Sequence, residues 1–384
     1  MSMNCQKQWM ATIIFTSLVF SPLLKAKEPL VKIKIKSVKE KLKISGLDII
    51  KSLPLYKKNF HYSGQTSFKY SCNKKIKGKK ATMLASMSSL AGPISVNKEK
   101  YLGSIDIYHD SVNQKCDVVN TVGMEHYLSS LLSKEMNNSW PIEALKAQAI
   151  ASRTYALFMM KKNETAKVNK YYDLENSEKH QVGGSLFDTN KKTFKATVST
   201  KGIVLLNGKS AIGPAFFHAK CGGRTIKPEE VWQNPVEGYR SVNCPYCWRS
   251  GKKNWKRKIK VSKLKKFFSW LEENKHIENI KDKNNSLLRI PEDRKKKQKF
   301  RFYIGEKVEK IEKALVRRFF GRKLIPSNHF QAKLHNKSLA ISGSGHGHGV
   351  GMCQIGALEM AKQGKTYKQI LAHYYPAHRL EKIY

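Results

Sequence analysis

The chain has 384 residues, 40% of them hydrophobic, which is enough to bury the core of one large domain or of two ordinary ones. Its 72 Lys and Arg residues against 29 Asp and Glu residues give a formal net charge of +43, and such a charge favours polyanionic partners. No nucleic-acid-binding motif accompanies the basic residues, which are spread along the whole chain, so we expect an anionic envelope surface and no nucleic acid as the partner.

Residues 1–26 have the pattern of a secretory signal, with a polar start, an apolar run from Trp9 to Phe20 and a cleavage candidate at Ala26. The alternative is a membrane anchor, but the apolar run is shorter than the roughly 20 residues that span a bilayer. We therefore expect a protein that is exported to the periplasm or cell envelope, where cysteines form disulfides.

Residues 27–120 alternate apolar and polar side chains in segments such as LVKIKIKSV, KLKISGLDII and KCDVVNTV. This period of two predicts a β-rich N-terminal domain. Cys72 and Cys116 both lie in strand-like segments and are candidates for a disulfide, although the sequence does not establish their pairing.

The hydrophobic period changes to a helical one at Met124, and after an NNSWP break a second helix is predicted from Trp140 to Met160. Ser139 is its expected N-cap, with Pro141 in the first turn. The second helix is predicted to be central because its alanines allow close approach of other backbone: Ala144, Ala147, Ala149, Ala151 and Ala156.

The rest of the region 121–384 is predicted to mix helices and strands, so the expected fold class is α+β. A basic insert around 250–300 contains a predicted helix, VSKLKKFFSWLEENKH, and we favour a solvated basic face there over a dedicated anion-binding site. Near the C terminus, a helix is predicted from Gly351 to Lys362. Thr366 and Gln369 are spaced as the capping box of another helix.

Glu135 stands at the end of the first helix, beside Met136, Trp140 and Pro141. A carboxyl group among apolar side chains is held in its protonated form, which a general acid at neutral pH requires. The alternative is a glutamate at an exposed helix end.

Two long motifs resemble those of the stage II sporulation protein D and amidase-enhancer family: GMEHYLSSLLSKEMNNSWPIEALKAQAIASRTYAL and GHGVGMCQIGALEMAKQGKTYKQILAHYYP. The resemblance covers roughly residues 35–380, is specific in these two blocks and around FFHAKCGGRT, and makes 121–384 the catalytic domain. It implies a peptidoglycan lytic transglycosylase, which cleaves between N-acetylmuramic acid and N-acetylglucosamine and leaves a 1,6-anhydro sugar. The alternative within the family is a noncatalytic glycan-binding enhancer whose partner is a cell-wall amidase.

By this resemblance Glu135 is the catalytic acid and base, and one carboxyl suffices because a hydroxyl of the sugar is the nucleophile. Lys146, Gln148 and Arg153, on the second helix, are assigned to substrate binding. For Lys146 and Arg153 the alternative is a structural salt bridge.

The second block contains His346 and His348 between alternating glycines at 343, 345, 347, 349 and 351. We expect these glycines to strip side chains from one face of the loop, so that a glycan lies against backbone. His346, His348 and Gln354 would then bind the glycan. Cys353 stands where the family commonly has Ser, and we expect a buried thiol.

His218-x-x-Cys221 and Cys244-x-x-Cys247 have the spacing of zinc ligands. Some family members bind zinc through His and Cys, and a structural zinc ion is one interpretation. The competing interpretation is a disulfide from Cys221 to Cys244 or Cys247, which export favours. No cofactor is expected to be required for catalysis.

Overall fold

The structure is a computed structural model that describes residues 27–73, 81–166, 170–176, 189–232, 234–251, 254–278, 299–304, 307–335 and 338–384. The predicted export signal, residues 1–26, lies outside these ranges. The described residues form an α+β fold with a β-rich N-terminal region, as predicted. No helix in the described ranges is both long enough and apolar enough to cross a membrane.

One curled sheet dominates the N-terminal region. Its strands are β1 (Leu30–Val38), β2 (Lys41–Leu53), β3 (Lys58–Ser71), β4 (Ala81–Ser89), β5 (Ile94–Val96), β6 (Glu99–Tyr101), β7 (Ser104–Asp110), β8 (Lys115–Gly123) and β9 (Leu174–Glu175). Their order is β6-β5-β2-β4-β7-β8-β1-β9, with β3 paired to β2. β9 pairs with β1 in parallel, and the other pairs of this sheet are antiparallel.

A disulfide ties together two parts of this sheet that are not neighbours. It joins Cys72, which follows β3, to Cys116 on β8, with their Cα atoms 5.2 Å apart. Both cysteines are buried in the sheet's apolar core beside Leu42, Ile44 and Ile107. The disulfide considered from the sequence is therefore present.

Eight helices lie in the described ranges: α1 (Met124–Glu135), α2 (Ile142–Thr165), α3 (Lys191–Val198), α4 (Glu229–Trp232), α5 (Val261–Glu273), α6 (Lys313–Phe320), α7 (Gln354–Lys362) and α8 (Tyr367–Tyr374). The change of period at Met124 is confirmed, because α1 begins there directly after β8. The central position of α2 is also confirmed: its five alanines are fully buried and it packs against α1, α3, α7 and α8.

Two predicted helix starts are wrong. Pro141, not Ser139, is the N-cap of α2, because Pro141 has an extended ψ of 141° and the helix begins after it. α7 begins at Gln354 instead of Gly351, because Gly351 has a positive φ of 70° that no α-helix contains. The Thr366–Gln369 capping box is confirmed at the start of α8.

The C-terminal half has shorter strands: β10 (Ile203–Leu206), β11 (Phe217–His218), β12 (Asn254–Lys260), β13 (Lys299–Ile304), β14 (Lys307–Glu312), β15 (Phe330–His335), β16 (Ser338–Ser344), β17 (Met352–Cys353) and β18 (Arg379–Lys382). They form small sheets, β10-β18, β11-β17, β12-β16-β15 and β13-β14. The β11-β17 pair is parallel, and it brings the His218 segment beside the glycine-rich loop.

The described part of the basic insert has a buried apolar side as well as a solvated face, and it shares its apolar core with residues outside the insert. β12 and α5 bury Trp255, Ile259, Leu264 and Phe267 against the same core that Phe330 of β15 enters. Residues 279–298 of the insert lie outside the described ranges. The predicted domain boundary near residue 120 stays a prediction. Residues on both sides of it, such as Val31 and Leu128, pack into one apolar cluster.

Candidate active site

A cavity of about 830 Å³ opens between the end of α1, β11, α4, α6 and the glycine-rich loop. Its lining includes acidic, basic, aromatic and polar residues: Glu135, Phe216, His218, Trp232, Glu312, Arg317, Arg318, Arg322, Gly347, His348 and Gln354. The structure thus brings together three residues that the sequence assigned to one site: Glu135, His348 and Gln354.

Glu135 is the last residue of α1, and two glutamines fix the position of its backbone. Its main-chain oxygen accepts a hydrogen bond of 3.3 Å from Nε2 of Gln354, at the start of α7. The same Nε2 lies 3.4 Å from Oε1 of Gln148, which is fully buried on α2 and bonded to Ser152. Gln148 and Gln354 therefore connect α1, α2 and α7, so they hold Glu135 at the cavity.

The surroundings of Glu135 are partly apolar. Met136, the next residue, is buried, and Trp140 packs against the same apolar cluster. Tyr127, about two turns earlier on α1, has its pKa raised well above the usual value by burial and, secondarily, by the Glu135 charge. The carboxyl group therefore lies close to a desolvated part of the molecule, where electrostatic interactions are stronger than in water.

His218 offers a lone pair to the cavity. Its Nδ1 lies 3.0 Å from the carbonyl oxygen of Val350, which only accepts, so Nδ1 carries the proton and Nε2 does not. This Nε2 is buried and has no hydrogen-bond partner among the described residues. Burial lowers the pKa of His218 to about 4, so the ring is neutral at pH 7. His218 is thus a hydrogen-bond acceptor that the sequence analysis had assigned to metal instead.

His348 has a different orientation. Its Nδ1 accepts a hydrogen bond of 3.1 Å from the Val350 N–H. Burial, and after it the neighbouring His218 and Arg317, lower the pKa of His348 well below its usual value. The centroid of its ring lies 5.1 Å from that of Trp232. His348 therefore contributes packing surface as well as polar atoms to the cavity.

Trp232 of α4 and Phe216 give the cavity an aromatic side, with their ring centroids 4.6 Å apart. Trp232 is 39% exposed, which leaves ring surface available to a ligand. Aromatic rings of this kind pack against the apolar faces of ligands such as sugars. Trp232 was not among the site residues predicted from the sequence.

α6 and the turn after it contribute a cationic side that the sequence analysis also missed. Arg317, Arg318 and Arg322 line the cavity. The Arg317 guanidinium is held by main-chain oxygens, with Nε donating to Ile325 at 3.0 Å and Nη2 to Pro326 at 3.3 Å. The sequence feature that indicates this cationic side is the run RRFFGR at residues 317–322. It lies in a stretch whose hydrophobic periodicity predicts little.

The expected role of the glycines is wrong, since what they accommodate is the protein itself. A Cβ on Gly351 would lie 2.0 Å from the Phe216 oxygen, and one on Gly343 would lie 2.3 Å from Trp255. Of the five glycines, Gly347 lines the cavity, and a Cβ there would lie 2.9 Å from the Cβ of His218. Gly347 has a φ of 105°, which an L side chain rarely adopts. The glycines therefore let the loop pack closely beside β11.

Arg153 is corrected to a structural residue. Its guanidinium is fully buried and binds Glu125 through two bonds of 3.0 and 2.6 Å. It also donates to main-chain oxygens of Ile203 and Thr197, and Glu125 accepts a further hydrogen bond from Tyr384. Arg153 does not line the cavity, because its guanidinium is paired with Glu125 in the protein interior.

Lys146 and His346 also lie outside the cavity lining. Lys146 forms an ion pair of 2.7 Å with Glu143, one turn earlier on α2. The His346 main chain exchanges hydrogen bonds with Lys220, and its side chain is on the exposed side of the loop. Residues two apart on a regular strand point to the same side, but Gly347 between the two histidines has a positive φ of 105°, so the loop is not a regular strand there.

The structure separates His218 from the three cysteines that the sequence grouped with it. The Sγ atoms of Cys221, Cys244, Cys247 and Cys353 all lie within 4.8 Å of one another, whereas His218 is turned to the cavity. The reason is the parallel β11-β17 pair, which places Cys353 opposite His218 and next to Cys221.

Comparisons with known proteins agree with the motifs. Residues 112–206, which contain Glu135 and all of α2, match the family model described as stage II sporulation protein. An uncharacterised protein of Brachyspira hyodysenteriae is 33% identical over 287 residues, covering 73% of this chain and 72% of that protein.

Two relatives from Bacillus subtilis have descriptive names. Stage II sporulation protein D is 28% identical over 283 residues, covering 71% of this chain and 77% of that protein. The amidase enhancer is 27% identical over 336 residues, covering 75% of this chain and 45% of that protein.

Proposed function

This chain belongs to the stage II sporulation protein D and amidase-enhancer family, and from that membership we propose that it is an exported lytic transglycosylase of peptidoglycan. Its substrate is the glycan strand, cut between N-acetylmuramic acid and N-acetylglucosamine. Its place of action is the periplasm or cell envelope, where a charge of +43 favours binding to anionic surfaces.

The observation that carries this proposal is the position of Glu135. The residue that matches the family's catalytic acid lies at the edge of a cavity of about 830 Å³, and its backbone is fixed by buried Gln148 and Gln354. A proton donor has to be held within hydrogen-bond reach of the reacting oxygen, and a helix end secured to two other helices provides such a fixed point.

In the proposed reaction, the Glu135 carboxyl group donates its proton to the glycosidic oxygen as the bond from that oxygen to muramic acid C1 breaks. The O6 hydroxyl of the same muramic acid attacks C1, and a C1–O6 bond forms. The O6 proton passes to the Glu135 carboxylate, which returns the acid to its starting form. No water is consumed, so one carboxyl group serves as both acid and base.

The rest of the cavity is assigned to recognition. The Nε2 lone pair of His218 accepts a hydrogen bond from a sugar hydroxyl, which would satisfy a buried atom that has no protein partner among the described residues. Trp232 packs against a sugar face. Arg318 and Arg322 attract carboxylates, which muramic acid and its stem peptides carry.

The test is digestion of purified sacculi, with the released sugars identified by mass spectrometry. The wild-type protein should release 1,6-anhydromuramic products, and Glu135→Gln should release none. Glu273→Gln is the matched control, since Glu273 is exposed at the end of α5 and outside the cavity lining. Release of the same products by Glu135→Gln would contradict the proposal.

A second candidate function rests on the relative named amidase enhancer. In that case the cavity binds glycan without cleaving it, and the partner is a cell-wall amidase. The wild-type protein would then release no sugar product alone, but would increase release of stem peptides by an added amidase. Equal effects of wild type and Glu135→Gln on that amidase would favour this candidate.

A further inference from the structure

We propose that Cys221, Cys244, Cys247 and Cys353 bind one structural zinc ion behind the wall of the cavity. Their four Sγ atoms lie within 4.8 Å of one another, and each side chain is at most 2% exposed. Zinc binds four thiolates tetrahedrally at about 2.3 Å, which places the sulfurs about 3.8 Å apart. Small side-chain rotations therefore bring all four sulfurs onto one ion.

The chain supplies these ligands in a manner typical of zinc sites. Cys244 and Cys247 have two residues between them, and Cys247 lies in a short 3-10 turn at Tyr246–Trp248. Their partners come from two distant segments, with Cys221 after β11 and Cys353 at the end of β17. A two-residue gap on a tight turn points both sulfurs to the same side, where the other two sulfurs already lie.

Peptide N–H groups donate to the sulfur of Cys353, as they do to metal-bound thiolates. Cys353 Sγ accepts hydrogen bonds of 3.3 Å from the N–H groups of Cys221 and Gly356. Such donors stabilise the negative sulfur and fix its direction. Gly356 has to be glycine here, since a Cβ would lie 2.8 Å from Cys244 Sγ and 1.9 Å from Oη of Tyr374.

The arrangement does not resemble a pair of disulfides. Sulfurs in a disulfide are about 2.05 Å apart, whereas the contact between Cys221 and Cys247 is 3.5 Å. The same chain does contain a disulfide, Cys72–Cys116, in its other half. Four sulfurs that all lie close to one another suit a tetrahedral ion. Two disulfides would need only two separate pairs of neighbouring sulfurs.

The position of the four cysteines indicates which part of the cavity the ion would stabilise. Cys221 is three residues after His218, and Cys353 directly precedes Gln354, so both cavity residues are attached to ligands. The β11-β17 pair that carries them has only two residues per strand. Zinc would therefore hold this short pair, and with it His218 and Gln354, in place.

The test uses the full-length exported protein, purified without chelator. We expect one zinc per chain by elemental analysis and four thiols that become alkylated only after denaturation with chelator. Replacement by cobalt(II) should give the thiolate-to-metal charge-transfer absorption and visible bands of tetrahedral cobalt. These readouts do not depend on glycan cleavage, so they stand or fall separately from the proposed activity.

Cys247→Ser should reduce the zinc content from about one per chain to near zero. It should also remove the absorption spectrum of cobalt(II) bound by four sulfurs. The matched control is the double variant Cys72→Ser/Cys116→Ser, which removes two sulfurs from the other half of the molecule and should retain one zinc. If Cys247→Ser fails to fold, the cobalt spectrum of the wild type still decides the matter. Two additional disulfides in the wild-type protein, or reduced thiols that take up neither zinc nor cobalt, would overturn the proposal.

Discussion

The two walls of the cavity differ in origin and in chemistry. The motif wall consists of Glu135, His348 and Gln354, all from the two sequence blocks that identify the family. The basic wall consists of Trp232, Arg317, Arg318 and Arg322, which come from the segments between those blocks. On the motif wall the backbone is fixed by partly buried hydrogen bonds, while Arg318 and Arg322 are exposed.

This difference separates two requirements of the proposed glycan cleavage. Proton transfer depends on the position of one atom to within a fraction of an ångström, so it needs a rigid support. Attraction of a charged polymer depends on long-range fields, which tolerate mobile side chains. We therefore expect substitutions in the motif wall to change kcat and substitutions in the basic wall to change KM.

The largest effect is expected for Glu135→Gln. The amide keeps the shape of the side chain but donates no proton to the leaving oxygen, so kcat should fall about 100- to 10,000-fold with little change in KM. Initial rates on defined glycan oligomers at several concentrations give both constants. A large increase in KM at constant kcat would place Glu135 in binding and would break the comparison.

Arg153→Met tests whether a residue of the motif that lies outside both walls acts through stability alone. The change leaves Glu125 buried without its partner, so the free energy of unfolding should fall by about 3 to 5 kcal/mol. Lys146→Met is the control, since its partly exposed ion pair contributes about 0 to 1 kcal/mol. Urea unfolding measures both. A stable Arg153→Met protein that has lost glycan affinity would restore the substrate-binding role.

Arg318→Ala and Arg322→Ala probe the basic wall. Each should raise KM by about fivefold at low ionic strength with kcat unchanged, and added salt should reduce the difference from wild type. Lys265→Ala is the control, because Lys265 is exposed on α5 and lies outside the cavity lining. An equal effect of the control would assign the attraction to the net charge of the whole protein.

The smallest effect is expected for Glu312→Gln. Glu312 is the second carboxylate among the described residues that line the cavity, and it forms an ion pair of 3.3 Å with Lys299. Since the proposed reaction uses one carboxyl group, the rate should change by about twofold or less. A loss comparable to that of Glu135→Gln would indicate a pair of carboxylates and hydrolysis by water.

Local patterns in the sequence predicted the local structure well. The start of α1 at Met124 and the Thr366–Gln369 capping box depend on residues that are neighbours in the chain, and both are confirmed. The burial of the α2 alanines follows from composition and spacing within one helix. The position of Glu135 beside Gln354 was predicted through the resemblance, since the two residues lie 219 positions apart.

Features that depend on tertiary contacts were missed or misassigned. Arg153 and Lys146 share a helical face, yet one meets a buried glutamate and the other a surface glutamate. The spacing of His218 and Cys221 is as suitable for zinc as that of Cys244 and Cys247. Only the β11-β17 pairing places Cys353, and not His218, beside the other three cysteines. The glycines of the loop are explained by close backbone packing, which no local pattern reports.

The most direct test of the central claim is digestion of glycan in water labelled with heavy oxygen. Because the proposed nucleophile is the O6 hydroxyl of the sugar, the muramic acid product should carry no heavy oxygen and should be lighter by one water than a hydrolysed product. Products with heavy oxygen at C1 of muramic acid would show that water is the nucleophile and would contradict the account.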